Sequence, residues 1–219
     1  ILQTEKVAAW QEIAQRLAHE IKNPLTPIKL SAQRLLKRYR ENPEGFDRVL
    51  DSSVGSIIRE VDNLDNLLTE FRNFSRLPAP RKMSARLKTL IRDAAATYGH
   101  LAEKIEMRME EIPDDLSLSV DPAQMRQVFA NLITNAADAM PRGGTLRFRA
   151  DLVKKGNTKY CRIQVEDTGE GIDRERFSQV FNPYYTTKSN GTGLGLSVVE
   201  RIIFDHKGQI WFESEPGVG

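Results

Sequence analysis

Residues 1–76 carry apolar side chains in two heptad seams and show no strand alternation, which restricts this stretch to helices that pair side by side. The first seam runs through Val7, Trp10, Ala14, Leu17, Ile21, Pro24, Ile28 and Leu35, with one long step that passes through Ser31. The second runs through Leu50, Val54, Ile57, Val61, Leu64, Leu68 and Phe71. Between them, Glu41-Asn42-Pro43-Glu44-Gly45 breaks the helix. The pattern predicts an antiparallel helical hairpin with one apolar face. Two helices bury two such seams poorly alone. A second copy of the chain would complete a four-helix bundle. The competing arrangement packs the hairpin against the rest of the chain, and the seams favour the dimer.

Leu77-Pro78-Ala79-Pro80-Arg81 then punctuates the chain as a semi-rigid linker. Residues 82–219 mix helical and strand patterns. Leu87 to Ala102, Pro122 to Met140 and Leu194 to Phe204 read as helices. Leu116 to Val120, Thr145 to Leu152, Tyr160 to Glu166 and Gln209 to Ser214 alternate as strands, with a hairpin turn in the Lys154–Thr158 stretch. This predicts an α+β sandwich, one sheet covered by helices on one face. The expected division is therefore 1–76, a linker at 77–81, and 82–219.

Composition narrows the function. The 219 residues are 40% hydrophobic and 28% charged, as in a globular chain. The net charge is only +2, with both signs interleaved, so no nucleic-acid partner is expected. Cys161 is the only cysteine, which rules out an intrachain disulfide and fits a reducing compartment. No apolar run reaches the length of a membrane span. The chain lacks an initiator Met and stops at Gly217-Val218-Gly219, so its ends look cut; the parent is expected to carry membrane spans that this cytoplasmic portion lacks.

His19 lies between seam positions Leu17 and Ile21 and projects roughly opposite to them. It is therefore an exposed histidine rather than a core one. An exposed neutral imidazole nitrogen is a workable phosphoryl acceptor, and Glu20 can orient it and accept its proton. Pro24 and Pro27 each remove a helix hydrogen bond just beyond it. Taken alone, such a histidine is an ordinary surface residue.

Three further runs converge on a nucleotide. Asn131 and Asn135 share a helix face, and amide oxygens suit Mg²⁺. Asp167-Thr168-Gly169-Glu170-Gly171 follows a strand and offers a carboxylate to an exocyclic amino group. Gly191-Thr192-Gly193-Leu194-Gly195 opens a helix and presents backbone N–H groups to phosphates. It is not a Walker A loop, because no Gly-Lys-Ser/Thr follows. Each run is weak by itself; their order and spacing are specific.

Together they resemble the N, G1 and G2 boxes of the GHKL ATP-binding fold, with Phe181-Asn182-Pro183-Tyr184-Tyr185-Thr186-Thr187-Lys188 as the F box. His19-Glu20-Ile21-Lys22-Asn23-Pro24-Leu25 resembles the H-box of sensor histidine kinases. The resemblance implies that His19 is the phosphoacceptor, Glu20 its general base, and that Asn23 positions a water for dephosphorylating the partner. It makes Asn135 the chief Mg²⁺ ligand, with Asn131 as a supporting contact. Asp167 would read adenine, while Gly169 and Gly171 shape the base pocket. Lys188, Thr192, Gly193 and Gly195 would hold the phosphates. The ATP-hydrolysing members of the superfamily carry Glu where Asn131 stands; Asn cannot serve as a base, so the acceptor must lie elsewhere, and His19 is the candidate.

Only Ser189 and Asn190 separate Lys188 from Gly191, a short lid similar to that of the nitrogen-regulation branch, NtrY and NtrB kinases. The resemblance implies ATP and Mg²⁺ as cofactors, a homodimer, and a response-regulator partner of NtrX or NtrC type. It also implies that the chain stops before the last strand of its sheet. The alternative function is a GHKL ATPase or chaperone-like clamp that uses the hairpin only to dimerise.

Overall fold

A computed structural model of the protein describes residues 2–41, 46–75, 77–99, 104–156, 158–188 and 191–219. It separates into two compact units, Ile1–Arg76 and Leu77–Gly219.

The first unit is a helical hairpin of α1 (Leu2–Glu41) packed on α2 (Phe46–Ser75). The expected break at 42–45 lies outside the described residues. Helix α1 continues through Pro24 and Pro27. Each proline lacks the N–H that would bond four residues back, so the carbonyls of Glu20 and Asn23 lose their helical donors. On α1 the expected seam holds: Leu17, Ile21, Pro24, Ile28, Ser31 and Leu35 are half-buried. Val7, Trp10 and Ala14 lie outside the described side chains.

On α2 the seam is rotated from its expected line. Ile57, Leu64 and Phe71 are half-buried, but Ser53 and Leu67 are the buried positions. Leu50, Val54, Val61 and Leu68 remain 37%, 38%, 49% and 49% exposed. The apolar stripe of α2 is wider than one partner helix covers, so α1 takes one flank and the other stays in water.

The second unit begins with β1 (Met83–Arg86), α3 (Leu87–Ala96), β2 (Ile105–Arg108) and β3 (Ser117–Val120). It continues with α4 (Pro122–Ala139), β4 (Gly144–Lys155), β5 (Thr158–Asp167), a 3₁₀ turn at Arg174–Gln179 and α5 (Gly195–Asp205). Among the described residues the strands form two sheets where one was expected. β1 pairs antiparallel with β3, while β4 lies between parallel β2 and antiparallel β5. β1 runs straight into α3 and β3 reaches α4 through Asp121 alone, which limits each to four residues that pair with one another.

Strand β4 shows why one face is covered. Leu146, Phe148 and Ala150 are buried, and Phe148 meets Phe129 of α4 edge-on at 6.3 Å. The alternate residues Arg147, Arg149 and Asp151 face outward and pair with Glu166, Glu111 and Arg162. Helix α3 buries Leu87, Leu90, Ile91, Ala94 and Ala95, the single face expected at helical spacing. It ends at Ala96, earlier than its pattern predicted, and the stretch 100–103 lies outside the described residues.

Gln209 to Ser214 alternates in exposure but forms no ladder among the described residues. Alternation records which face is buried; a strand also needs a paired neighbour. Phe212 packs edge-on against Phe177 at 4.9 Å and Phe181 at 5.7 Å, so side chains rather than backbone hold this segment.

Asp121 is the N-cap of α4. Its Oδ1 accepts from the N–H groups of Ala123 at 2.9 Å and Gln124 at 3.1 Å, and its Oδ2 from Arg81 at 2.8 Å. Burial pushes this carboxyl up, but those three backbone donors, with His206 nearby, outweigh it and hold it below the usual carboxylate range.

Candidate functional site

Helix α4 carries the site because its buried stripe of Met125, Val128, Phe129, Ile133 and Ala136 turns the opposite edge toward the loops. That edge bears Asn131, Asn135 and Asp138. Asn131 Nδ2 donates to the carbonyl of Gly195 at 3.1 Å, which ties α4 to the first residue of α5. Lys188 Nζ donates to Asn135 Oδ1 at 3.0 Å and to Asp138 Oδ2 at 2.6 Å. The structure thus brings Asn131 to Gly195 and Asn135 to Lys188, linking the asparagine run to the second glycine run and to Lys188 through side chains.

Asp138 is the residue that sequence reasoning passed over. It stands three positions after Asn135, on the same helical face, and that spacing was the available signal.

The loop after β5 is built by close approach. Asp167 Oδ1 accepts from the Gly169 N–H at 2.9 Å, while Oδ2 has no partner among the described residues. A Cβ on Gly169 would lie 2.7 Å from Ala139 Cβ, and Glu170 N–H donates to the Ala139 carbonyl at 3.1 Å. The loop therefore rests on the end of α4, and only glycine fits there. On its other side, Gly217 N–H donates to the Glu170 carbonyl at 2.7 Å and Ile172 N–H to Ser214 Oγ at 2.8 Å. Gly171 has φ +70° and faces the Glu215 carbonyl, again with no room for a side chain.

The second glycine loop is shaped by Tyr184. Gly193 has φ +68°, and its carbonyl accepts from the Tyr184 N–H at 2.9 Å. A Cβ there would lie 2.5 Å from the Tyr184 carbonyl carbon. Thr192 Oγ1 accepts from the Leu194 N–H at 3.4 Å, and Gly195 opens α5. The lid residues Ser189 and Asn190 lie outside the described residues.

In the other unit, His19 and Asn23 are exposed and Glu20 is half-buried. His19 projects away from the seam, as the heptad required. The two carbonyls freed by proline are those of Glu20 and Asn23, so the helix is least braced beside His19.

These features define a nucleotide-binding α/β module preceded by an acceptor hairpin, and comparison with known proteins agrees. Residues 120–219 match the histidine kinase-, DNA gyrase B- and HSP90-like ATPase family, and residues 9–80 match the His Kinase A (phospho-acceptor) domain. The chain belongs to the sensor histidine kinases, in their NtrY branch. It is 32% identical to the nitrogen regulation protein NtrY of Azorhizobium caulinodans over 99% of its own length and 28% of that protein's. It is 33% identical to sporulation kinase A of Bacillus subtilis over all of its length and 35% of that protein's. It therefore spans about a third of these curated relatives.

Among solved structures, the catalytic domain of histidine kinase ThkA superposes with a TM-score of 0.55 at 30% identity, covering 63% of this chain and 90% of that one. ThkA in complex with the response regulator protein TrrA gives 0.70 at 28% identity, covering 94% and 57%.

Proposed function

We propose that this chain is the kinase core that transfers the γ-phosphoryl group of ATP to His19, then to an aspartate of a response regulator. The observation that carries this is the state of Asn131. Its amide donates to the Gly195 carbonyl, so this position orders α5 and supplies no base for hydrolysis. A site that binds ATP without activating water needs an acceptor, and His19 is exposed on a proline-loosened helix.

In the transfer, the bond from the γ-phosphorus to ADP breaks as a bond to an imidazole nitrogen forms. The nitrogen's lone pair makes the new bond, and Glu20 takes the proton from the ring. The N–P bond then breaks as a P–O bond forms on the regulator's carboxylate, and the ring takes its proton back from Glu20. Asn23 orients the water that hydrolyses that acyl phosphate in the reverse traffic. Positioning and charge neutralisation dominate such a transfer. Asp167 Oδ2 is the open acceptor for the adenine amino group. Gly193 and Gly195 bring backbone to the phosphates, and Lys188 brings charge.

The donor set fits Mg²⁺. Asn135 Oδ1 already attracts an ammonium beside the Asp138 carboxylate, so this edge of α4 is a hard-oxygen surface that favours cations. When bound with ATP, Mg²⁺ would neutralise phosphate charge, with Asn135 as its protein ligand. The exposed flank of α2 supports a homodimer. Likeness to the NtrY branch supports a membrane-anchored parent whose cytoplasmic portion this is, with a regulator of NtrX or NtrC type as partner.

Incubation with γ-labelled ATP tests the proposal. Acid-labile, base-stable label that vanishes in His19→Gln is the expected result. Steady phosphate release unaffected by that substitution would refute it.

A further inference from the structure

Lys188 engages α4 more tightly than phosphate binding alone requires. Its backbone is anchored, since Lys188 N–H donates to Thr186 Oγ1 at 3.0 Å. Its ammonium reaches two residues of one helix face, Asn135 Oδ1 at 3.0 Å and Asp138 Oδ2 at 2.6 Å. That amide oxygen is the one assigned above to the metal. An ammonium held there repels a divalent cation approaching the same atom. The same ammonium cannot reach out to phosphate while it lies along α4. The side chains of Lys188 and Asp138 are 39% and 56% exposed, so the head can leave by rotation of its flexible stem.

We infer that Asp138 is a positioning residue that parks the Lys188 ammonium on Asn135 in the nucleotide-free protein, so that nucleotide binding proceeds by exchange of Lys188 from Asp138 to the phosphates. This rests on the reading of the site as a nucleotide site. Lys188 is in this scheme a counterion with two addresses. Parked, it neutralises Asp138 and covers the oxygen of Asn135. Released, it exposes that oxygen and adds its charge to the triphosphate. Asp138 sets the cost of release, so it tunes affinity without touching ligand.

A double-mutant cycle separates this from simple repulsion between Asp138 and phosphate. ATP affinity is measured by calorimetry in EDTA for the 219-residue chain, Asp138→Asn, Lys188→Met and the double variant. The expected result is tighter binding in Asp138→Asn by about two- to fivefold, the range open to an exposed ion pair. In the Lys188→Met background the same substitution should change nothing, and Asp138→Glu should restore wild-type affinity. Equal tightening in both backgrounds would overturn the inference and leave only through-space charge. Weaker binding in Asp138→Asn would overturn it as well. If the wild-type chain bound no nucleotide either in EDTA or with Mg²⁺, the nucleotide reading itself would fall and the inference with it. Nucleotide binding without coupling defeats the inference alone.

Discussion

The backbone N–H of Asp121 donates to Nε2 of His206 at 3.0 Å, which joins the start of α4 to the end of α5. His206 Nδ1 lies 2.8 Å from the Ile202 carbonyl, so that nitrogen carries the proton and Nε2 is the acceptor. Helices α4 and α5, which border the candidate site, are thus pinned at their far ends through one imidazole. Asn131 and Gly195 pin them again at the site.

The first prediction concerns the site end of that pair. Asn131→Asp removes the side-chain donor toward the Gly195 carbonyl and sets two acceptors against each other. Loss of one such bond costs about 0.5–1.5 kcal/mol, and the opposed acceptors add to it. Urea unfolding should show this destabilisation, with weaker ATP binding beside it. Unchanged stability would mean that the bond does not hold α5.

A comparison of two glycines tests the second loop. Gly193 and Gly156 both have positive φ, +68° and +63°. A Cβ on Gly156 meets nothing within 4 Å, whereas on Gly193 it meets the backbone of Tyr184 and Tyr185. Gly156→Ala should cost only the left-handed penalty of about 1–2 kcal/mol. Gly193→Ala should cost more and abolish nucleotide binding, because backbone cannot yield as a side chain can. Similar melting temperatures for the two variants would contradict the packing.

Asn131, Asn135, Asp167 and the glycines stood out in the sequence as candidates through the order and spacing of their runs, each run being weak by itself. Heptad spacing likewise located the hairpin and the outward face of His19. Three things were not legible. β1 and β2 are strands through pairing with β3 and β4, which lie farther along the chain. The rotation of the α2 seam depends on which flank α1 covers, and Leu50 and Ser53 offer no rule for that choice. Asp138 acquires a role only when Lys188, fifty residues away, is folded against it.

The Asp121 cap gives a prediction in pH. Its folded carboxyl titrates below the ordinary value of 3.8, so the ionised form is favoured by folding. Its contribution is therefore present above that value and is lost as pH falls through the lower, folded one. Asp121→Ala should lose about 0.5–2 kcal/mol at neutral pH, the usual range for an N-cap. The gap between wild type and variant should close as pH drops below about 4. Denaturant titrations across that range check both parts. A gap that stays constant down to the acid limit would show that the carboxylate's charge is irrelevant to the cap.

The last prediction concerns the flank of α2 that α1 leaves bare. Leu50, Val54, Val61 and Leu68 recur at heptad spacing and are each more than a third exposed, while Ser53 and Leu67 beside them are buried against α1. A second hairpin would cover that row at about 25 cal/mol for each Å² of apolar surface withdrawn from water. Charged residues placed in the row would lose this gain without disturbing the α1–α2 contact. Light scattering at micromolar concentration should therefore find the wild-type chain dimeric and the double variant Val61→Lys, Leu68→Lys monomeric. Nucleotide binding should persist in the variant, because the α/β unit has its own core. A wild-type monomer would defeat the prediction, and a dimeric variant would move the interface to another face of the hairpin.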